Sequence, residues 1–478
     1  MTTGFSPDAL LERLAPFGAV PRYWIAYSGG LDSTVLLDAL AAIRARLPDE
    51  PASDRLLAVH VDHGLQAASA DWARHCATRC AALGLPLRIE RPTSTPSPGE
   101  SLEAWAREAR YALFRRLLAP GEILLTAQHR DDQAETLLLA LLRGSGPHGL
   151  AAMPVVAPLG AGRLVRPLLD FSRQSLADYA HRQGLDWIED PSNDHTAFDR
   201  NYLRHHVLPR LRARWPSVAA TLSRSAHHCA EAAELIDQYA EQALAEARGV
   251  QDSRLSIPAL VRLDRPLRKA VVRRWLKERG FKAPNTRHLE RILDELPAAR
   301  SDANPQVGWS GCEVRRYRDE LFALFPLPPP PSESRRIDWT ISGHLSVLDL
   351  PAGLGRLECQ VCPEADSIST GLKGGFQLQV RFGQTGLICR VSATGARRPL
   401  KKLLQEAGVP AWMRPYLPLV FQGEQFVAAA GVAACHDRPK RIRLSSNTYL
   451  LWSGSHWQHD WPDLARPLRI SLDVGGDD

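Results

Sequence analysis

The sequence predicts an α/β protein: a doubly wound parallel sheet in its N-terminal part, then a mostly helical region, then a small α+β module. Three observations carry this expectation. Short apolar runs alternate with helical stretches between residues 24 and 142, the pattern of parallel strands joined by crossover helices. Apolar spacing near 3.6 residues dominates 217–325, as in "AHHCAEAAELIDQYAEQALAEA" and "TRHLERILDEL". The stiff run "LPPPPSES" at 327–334 then interrupts the chain and reads as a linker or a domain seam.

The first strand, "WIAY" (24–27), ends in Ser28-Gly29-Gly30-Leu31-Asp32-Ser33, and a helix is expected over 33–46. Glycines at such a junction allow positive φ and let backbone amides approach a guest without an intervening Cβ. The free N–H groups at the following helix start suit an anion, so the bend fits a phosphate loop; an ordinary tight turn fits it too. The Gly-Lys-Ser/Thr ending of a Walker loop is absent.

The second strand, "LLAVHV" (56–61), precedes a helix over 69–83 and ends in His60-Val61-Asp62-His63-Gly64-Leu65. Alternation along the strand puts His60 and Asp62 on one face and His63 on the other, which favours nucleotide contacts or loop stabilisation over a metal site. A purely structural role fits as well. The third strand, "LPLRIE" (85–90), leads to a helix over 101–118.

The fourth strand, "ILLTAQ" (123–128), leads into "HRDDQAETLLLALLRGSG" and a helix over 131–142, started by Asp131 or Asp132. Asp132 and Glu135 are i and i+3 and share a helix face; such a pair can hold an ammonium group or Mg²⁺, or accept a proton. Gly144-Ser145-Gly146 fits a close approach to a nucleotide or a helix C-cap. In "WIEDPSNDHTAFDRNYLRHHVLP" (187–209), acids and turn formers precede Arg200 and Arg204 one helical turn apart, as expected of a loop laid across the mouth of a site. Farther on, "HLSVLDL", "FQLQVRF" and "GLICRVS" read as strands and "RPLKKLLQEAG" as a helix. The expected divisions are 1–216, 217–326, 327–370 (proline run and strands) and 371–478.

With 478 residues, 44% hydrophobic and 23% charged, the chain is an ordinary globular protein of several domains. No apolar run reaches the roughly 18 residues of a membrane span, and "MTTGFSPDAL" lacks the features of a secretory signal, so the expected address is the cytoplasm without membrane attachment. Eight cysteines do not form a disulfide framework: Cys76 and Cys80 read as buried, and the lone Cys359/Cys362 pair lacks a second ligand pair for zinc and reads as structural. A formal charge of +6 is carried partly by three clusters, "RNYLRHHVLPRLRARW", "RPLRKAVVRRWLKERGFK" and "GARRPLKKLLQ". Each alone is a solvated face; together they fit a long polyanion. A homodimer is one assembly the sequence leaves open.

The ordered set "SGGLDS", "HVDHGL", "TAQHRDDQAET", "RGSGPHGL" and "IEDPSNDHTAFDRNYLR" resembles the bacterial tRNA(Ile)-lysidine synthetases of the PP-loop ATP pyrophosphatase superfamily, and "RPLKKLLQEAGVPAWMRPYLPLVF" is similar to their terminal domain. The resemblance implies a Rossmann-like PP-loop domain at 1–216 and tRNA-binding domains at 217–326 and 371–478. It implies that ATP adenylates the wobble cytidine of the CAU-anticodon isoleucine tRNA, and that free L-lysine then displaces AMP to give lysidine, with Mg²⁺ accompanying ATP. Ser28, Gly29, Gly30, Leu31, Asp32 and Ser33 would hold the nucleotide. Asp132 and Glu135 match the lysine-binding acids, and Arg200 matches the arginine of the "RN" element, with Arg204 close to it in pattern. Asp32, Asp132, Glu135 and Arg200 form the implied catalytic set, and Asp32 is the expected organiser of Mg²⁺. A tRNA thiolase or amide-forming synthetase would want a reactive cysteine near the loop or an ammonia source, and neither is evident; a noncatalytic RNA-binding protein would not need the acid pair.

Overall fold

The computed structural model describes residues 4–46, 55–64, 69–96, 101–191, 195–300, 303–342, 345–351, 353–362, 376–384, 386–391, 394–435, 447–453 and 468–470. Leu65 of the second strand end and Ser192, Asn193 and Asp194 of the acidic turn lie outside them. The chain divides into two compact units, Met1–Ile236 and Asp237–Asp478. No helix among the described residues is long and apolar enough to cross a membrane.

In the first unit the order is α1 (Pro7–Leu14), β1 (Tyr23–Ala26), α2 (Leu31–Arg46), β2 (Leu56–Val61), α3 (Ser69–Ala82), β3 (Leu87–Glu90), α4 (Leu102–Leu117), β4 (Ile123–Leu125), α5 (Arg130–Leu142), α6 (Pro147–Leu150), β5 (Val156–Leu159), β6 (Gly162–Val165) and α7 (Arg173–Arg182). The sheet order is β3-β2-β1-β4-β6-β5, parallel except for β5, which pairs antiparallel with β6 at the edge. The four expected strands and their helices are therefore present, and the hairpin β5–β6 extends the sheet.

Strand alternation divides the core. Trp24, Val59, Leu124 and Leu164 pack with Phe114 and Leu118 on one face, while Ile25, Ala58, Ile123, Leu125 and Val165 pack with the buried side of α2 on the other. Both faces are covered, which is why these strands read as continuous apolar runs. The chemistry-bearing segments accordingly lie at the carboxyl ends of β1, β2 and β4, as open α/β sheets place their ligands.

After α8 (Asp199–Tyr202) come a π-helical turn at Leu203–Val207, α9 (Leu208–Arg214) and α10 (Val218–Ala247), which contains the division between the units. In the second unit, β7 (Leu255–Ser256), α11 (Ile257–Arg262), α12 (Arg265–Glu278) and α13 (Thr286–Ala298) precede β8 (Gln306–Trp309), β9 (Cys312–Tyr317) and β10 (Glu320–Leu324). These strands form an antiparallel sheet in the order β7-β10-β9-β8, so the helical reading of this region ends at α13. Trp275 of α12 is fully buried at its centre and donates from Nε1 to the Ser253 carbonyl at 3.0 Å.

Beyond residue 325, β11 (Arg336–Ile341), β12 (Leu345–Asp349) and β13 (Arg356–Cys362) are followed by β14 (Phe376–Arg381), β15 (Ile388–Cys389), β16 (Arg398–Pro399), α14 (Leu400–Glu406), β17 (Leu419–Gln422), β18 (Gln425–Ala429), β19 (Ala433–Ala434), β20 (Asn447–Ser453) and β21 (Leu468–Ile470). One sheet runs β11-β14-β17-β18-β19 and another β12-β13-β20-β21, so segments 327–370 and 371–478 share two sheets. The proline run is not a free tether: Leu327 packs against this core, and the Tyr416 hydroxyl donates to the Pro328 carbonyl. Cys359 is buried in β13, where burial pushes its thiol up to about 12.

Candidate active site

The bend after β1 has the build of an anion cradle. Gly29 sits at φ +85°, where a side chain is strained, and a Cβ there would fall 2.7 Å from Ile188 Cδ1 and 3.1 Å from Cys76 Sγ, so both would have to shift. The buried Ser33 hydroxyl donates to the Gly30 carbonyl at 2.9 Å and accepts from the Ser28 amide at 3.3 Å, closing the loop onto the first turn of α2. Thr34 Oγ1 adds a bond to the Gly29 carbonyl at 3.3 Å. From the far side, the Ile188 amide donates to the Gly29 carbonyl at 2.9 Å, so the described part of the 187–191 segment does cross the loop. Gly29→Ala is expected to destabilise the fold by about 1–3 kcal/mol, seen as a lower urea midpoint. Gly30→Ala, whose Cβ would meet nothing closer than 3.6 Å, should keep that midpoint.

The helix after β4 starts one residue earlier than expected, and an imidazole starts it. His129 is the N-cap of α5: its Nδ1 accepts from the Asp132 amide at 3.3 Å, and Asp132 Oδ2 accepts from the His129 amide at 3.0 Å. Asp132 thus takes part in the cap from the third helical position, and His129, not Asp131 or Asp132, is the N-cap. The Nδ1 contact leaves the ring proton on Nε2, which lies 3.5 Å from Asp32 Oδ2 and 3.4 Å from Asp132 Oδ2. His129 joins the carboxylate of the loop to the carboxylate of the acid pair. Burial opposes a second proton on this ring, but Asp132, Asp32 and Asp131 outweigh it and raise its pKa. That proton would have to sit on Nδ1, so the pull of the acids competes with the helix cap. Asp131 instead accepts from the Arg173 amide at 2.9 Å and pairs with Arg212 at 2.5 Å.

Asp132 and Glu135 do share a face of α5, but that face is filled rather than open. Arg204 Nε donates to Glu135 Oε1 at 2.7 Å, and its NH2 reaches Glu135 Oε2 at 2.9 Å and Asp132 Oδ1 at 3.0 Å. Arg200 Nε donates to Glu135 Oε2 at 3.0 Å and its NH2 to Thr136 Oγ1 at 2.8 Å. Glu135, 1% exposed, is thereby a buried carboxylate matched by two guanidiniums, the condition under which such a charge is tolerated. Both arginines meet the acids, not one of the two.

Other sequence signals resolve more plainly. His60 Nδ1 lies 3.0 Å from the Tyr27 carbonyl, bracing the strand beneath the loop, and burial lowers its pKa. Asp62 accepts from the Gly64 amide at 3.0 Å and from Arg91 at 2.9 Å, so it stabilises its own turn. Burial and the neighbouring Arg110 lower His63 to about 4. Gly144, at φ +69°, closes α5 in a Schellman motif: its amide bonds Leu141 O and that of Ser145 bonds Ala140 O, both at 3.0 Å. Gln133 fixes the following segment through bonds of 2.8 and 3.0 Å to the Met153 backbone. In the second basic cluster, Arg265 pairs with Asp294 at 2.8 Å, Lys269 with Glu290 at 2.5 Å and Arg274 with Glu278 at 3.0 Å, so much of its charge is already matched on the surface.

Sequence reasoning missed His129 as a site residue. The available signal was a polar side chain directly before an acid-rich helix start, at the end of a buried strand. Asp32 Oδ1 is buried with no hydrogen-bond partner among the described residues, an acceptor in want of a cation or donor.

Comparison with known proteins finds matches over most of the chain. Residues 9–211 match the PP-loop domain, 255–322 the TilS substrate binding domain and 378–445 the TilS substrate C-terminal domain. The tRNA(Ile)-lysidine synthase of Coxiella burnetii is 41% identical over 431 residues, covering 90% of this chain and 93% of its own. Those of Methylococcus capsulatus and Alkalilimnicola ehrlichii are each 42% identical, covering 88% and 90% of this chain and 95% and 94% of their own. With relatives more than 40% identical over about nine-tenths of its length, the chain belongs to the tRNA(Ile)-lysidine synthase family.

Proposed function

We propose that the α2 and α5 N-termini together form the site at which this chain uses ATP to join L-lysine to the wobble cytidine of the CAU-anticodon isoleucine tRNA, releasing AMP and pyrophosphate. The reading rests on one observation above others: His129 Nε2 stands within 3.5 Å of both Asp32 and Asp132, so a nucleotide end and an amine end abut across one side chain.

Two barriers define the task. The cytosine oxygen is a poor leaving group until it bears AMP, and the lysine side-chain amine is protonated at neutral pH. Freeing that amine from its reference pKa of about 10.4 costs roughly 4 to 5 kcal/mol at pH 7. Ser28, Gly29, Gly30, Leu31 and Ser33 supply the loop and helix N-terminus that hold the triphosphate while the cytosine oxygen attacks the α-phosphorus and pyrophosphate departs. The family's ATP is normally accompanied by Mg²⁺. The free Oδ1 of Asp32 fits such an ion, as one carboxylate beside a nucleotide and not as a full cage, and the ion would offset charge on the phosphates.

Asp132 and Glu135 then receive the lysine ammonium. In the structure their counter-charges are Arg200 and Arg204, so the incoming ammonium takes over part of a contact the guanidiniums now make. The displaced guanidiniums would then hold lysine's carboxylate. As the amine nitrogen attacks the adenylated base, its proton passes to the acid pair and AMP leaves with the base oxygen.

The direct test incubates the protein with ATP, radiolabelled lysine and unmodified tRNA. Label should enter a CAU-anticodon transcript and not a one-base variant; label in both, or in neither, removes the reading. Affinity for that tRNA should also fall steeply with salt, log K against log[salt] having a slope of about −0.7 to −0.9 per neutralised phosphate. A flat response would remove the basic clusters from the binding account.

A further inference from the structure

The helical segment whose arginines bond to the acid pair carries a second pattern on its other side. α8, the π turn and α9 run without a break from Asp199 to Arg214. Pro209 explains the widened turn: it has no N–H and its ring crowds the His205 carbonyl, so the Leu208 amide bonds five residues back to Leu203. The inner side presents Arg200, Arg204 and the buried Leu203 and Leu208. The outer side presents Phe198, 41% exposed, Tyr202, 53% exposed, then His206, Arg210, Arg214 and Trp215, 57% exposed.

A face that merely meets water has no use for three large rings within 18 residues, and an aliphatic-binding groove would not intersperse them with cations. Rings and arginines at one-turn spacing are the recognition chemistry of single-stranded nucleic acid, whose bases stack while its phosphates seek positive charge. The rings are already ordered: Tyr202 lies 5.1 Å from His206, and the Arg214 guanidinium sits 5.6 Å over Trp215. The stripe is also continuous with the site, because Arg200, in the same turn as Tyr202, is bonded to Glu135.

We propose that the stripe Phe198–Tyr202–His206–Arg210 is a stacking track for the unpaired anticodon-loop bases beside the wobble cytidine, with Arg210 and Arg214 taking their phosphates. This rests on the reading of the site as the place where that cytidine reacts.

The test measures the Kd of the full chain for a CAU stem-loop RNA by fluorescence anisotropy. Tyr202→Ala should raise Kd about tenfold at fixed salt, with Tyr202→Phe restoring it, since the ring and not the hydroxyl stacks. Tyr202→Ala should leave the salt slope as it was, whereas Arg210→Ala should lower it by about one. Wild-type affinity in both Phe198→Ala and Tyr202→Ala, or failure of Tyr202→Phe to restore binding, overturns the proposal; a stripe that docks a protein instead gives that result. Lysine incorporation by the unaltered chain is scored in parallel, so failure of the site reading is told apart from failure of the track.

Discussion

Asp32→Asn is expected to lower tRNA adenylation by about 10²-fold or more while tRNA binding persists. The substitution keeps the size of the side chain and removes its charge. It acts at the first turn of α2, beside the phosphate loop, where Asp32 offers one free buried oxygen and one that faces His129. An amide there puts a donor where a cation or a donor is wanted, and its N–H faces the ring proton of His129 in one of its two orientations. The measurement is pyrophosphate release dependent on tRNA, beside a filter-binding Kd for the same tRNA. Retained pyrophosphate release would count against Asp32 as the organiser of the nucleotide.

Glu135→Gln should separate the two half-reactions. Glu135 is almost wholly covered, and it is the carboxylate on which Arg200 and Arg204 converge. Removing its charge leaves Asp132 alone to offset two guanidiniums and weakens the hold on an incoming ammonium. Losing one member of a buried charge pair costs about 2–5 kcal/mol, so kcat/KM for lysine should drop roughly 30-fold or more. Adenylation should suffer far less, so adenylated tRNA accumulates when lysine is limiting. The assay is a single-turnover experiment with labelled ATP, followed by a lysine chase. Equal losses in both steps would show that Glu135 serves the architecture of the cleft and not the amine, and a circular dichroism melt of the variant separates that case from simple unfolding.

Much of this candidate site was legible in the sequence because the signals are local. A glycine pair between an apolar strand and a helix, and two acids three residues apart, each speak through spacing alone. What joins them is not local. Asp32 and His129 are nearly a hundred residues apart, and only the adjacency of β1 and β4 brings them together. The same holds for the cover on the acid pair: Arg200 and Arg204 were visible as a one-turn spacing, yet that spacing does not say that both reach Glu135. Strands β8 to β10 escaped notice for a different reason. They are four to six residues long, and "CEVRRY" alternates too briefly to be heard beside the strong helical period of α13. The pairing of β11 with β14 likewise skips two intervening strands, β12 and β13, and leaves no periodic trace.

The imidazole between the two carboxylates also limits what redesign of this enzyme can achieve. Someone wishing to load a different nucleophile onto the cytidine would have to replace Arg200 and Arg204 together with Glu135, because the two guanidiniums match that buried carboxylate. No such exchange is open at residue 129, since its ring nitrogens cap one helix and face the carboxylate of another. On the proposed reading activation and acceptance share that hub, so changing the acceptor while sparing the activation means working outward from it.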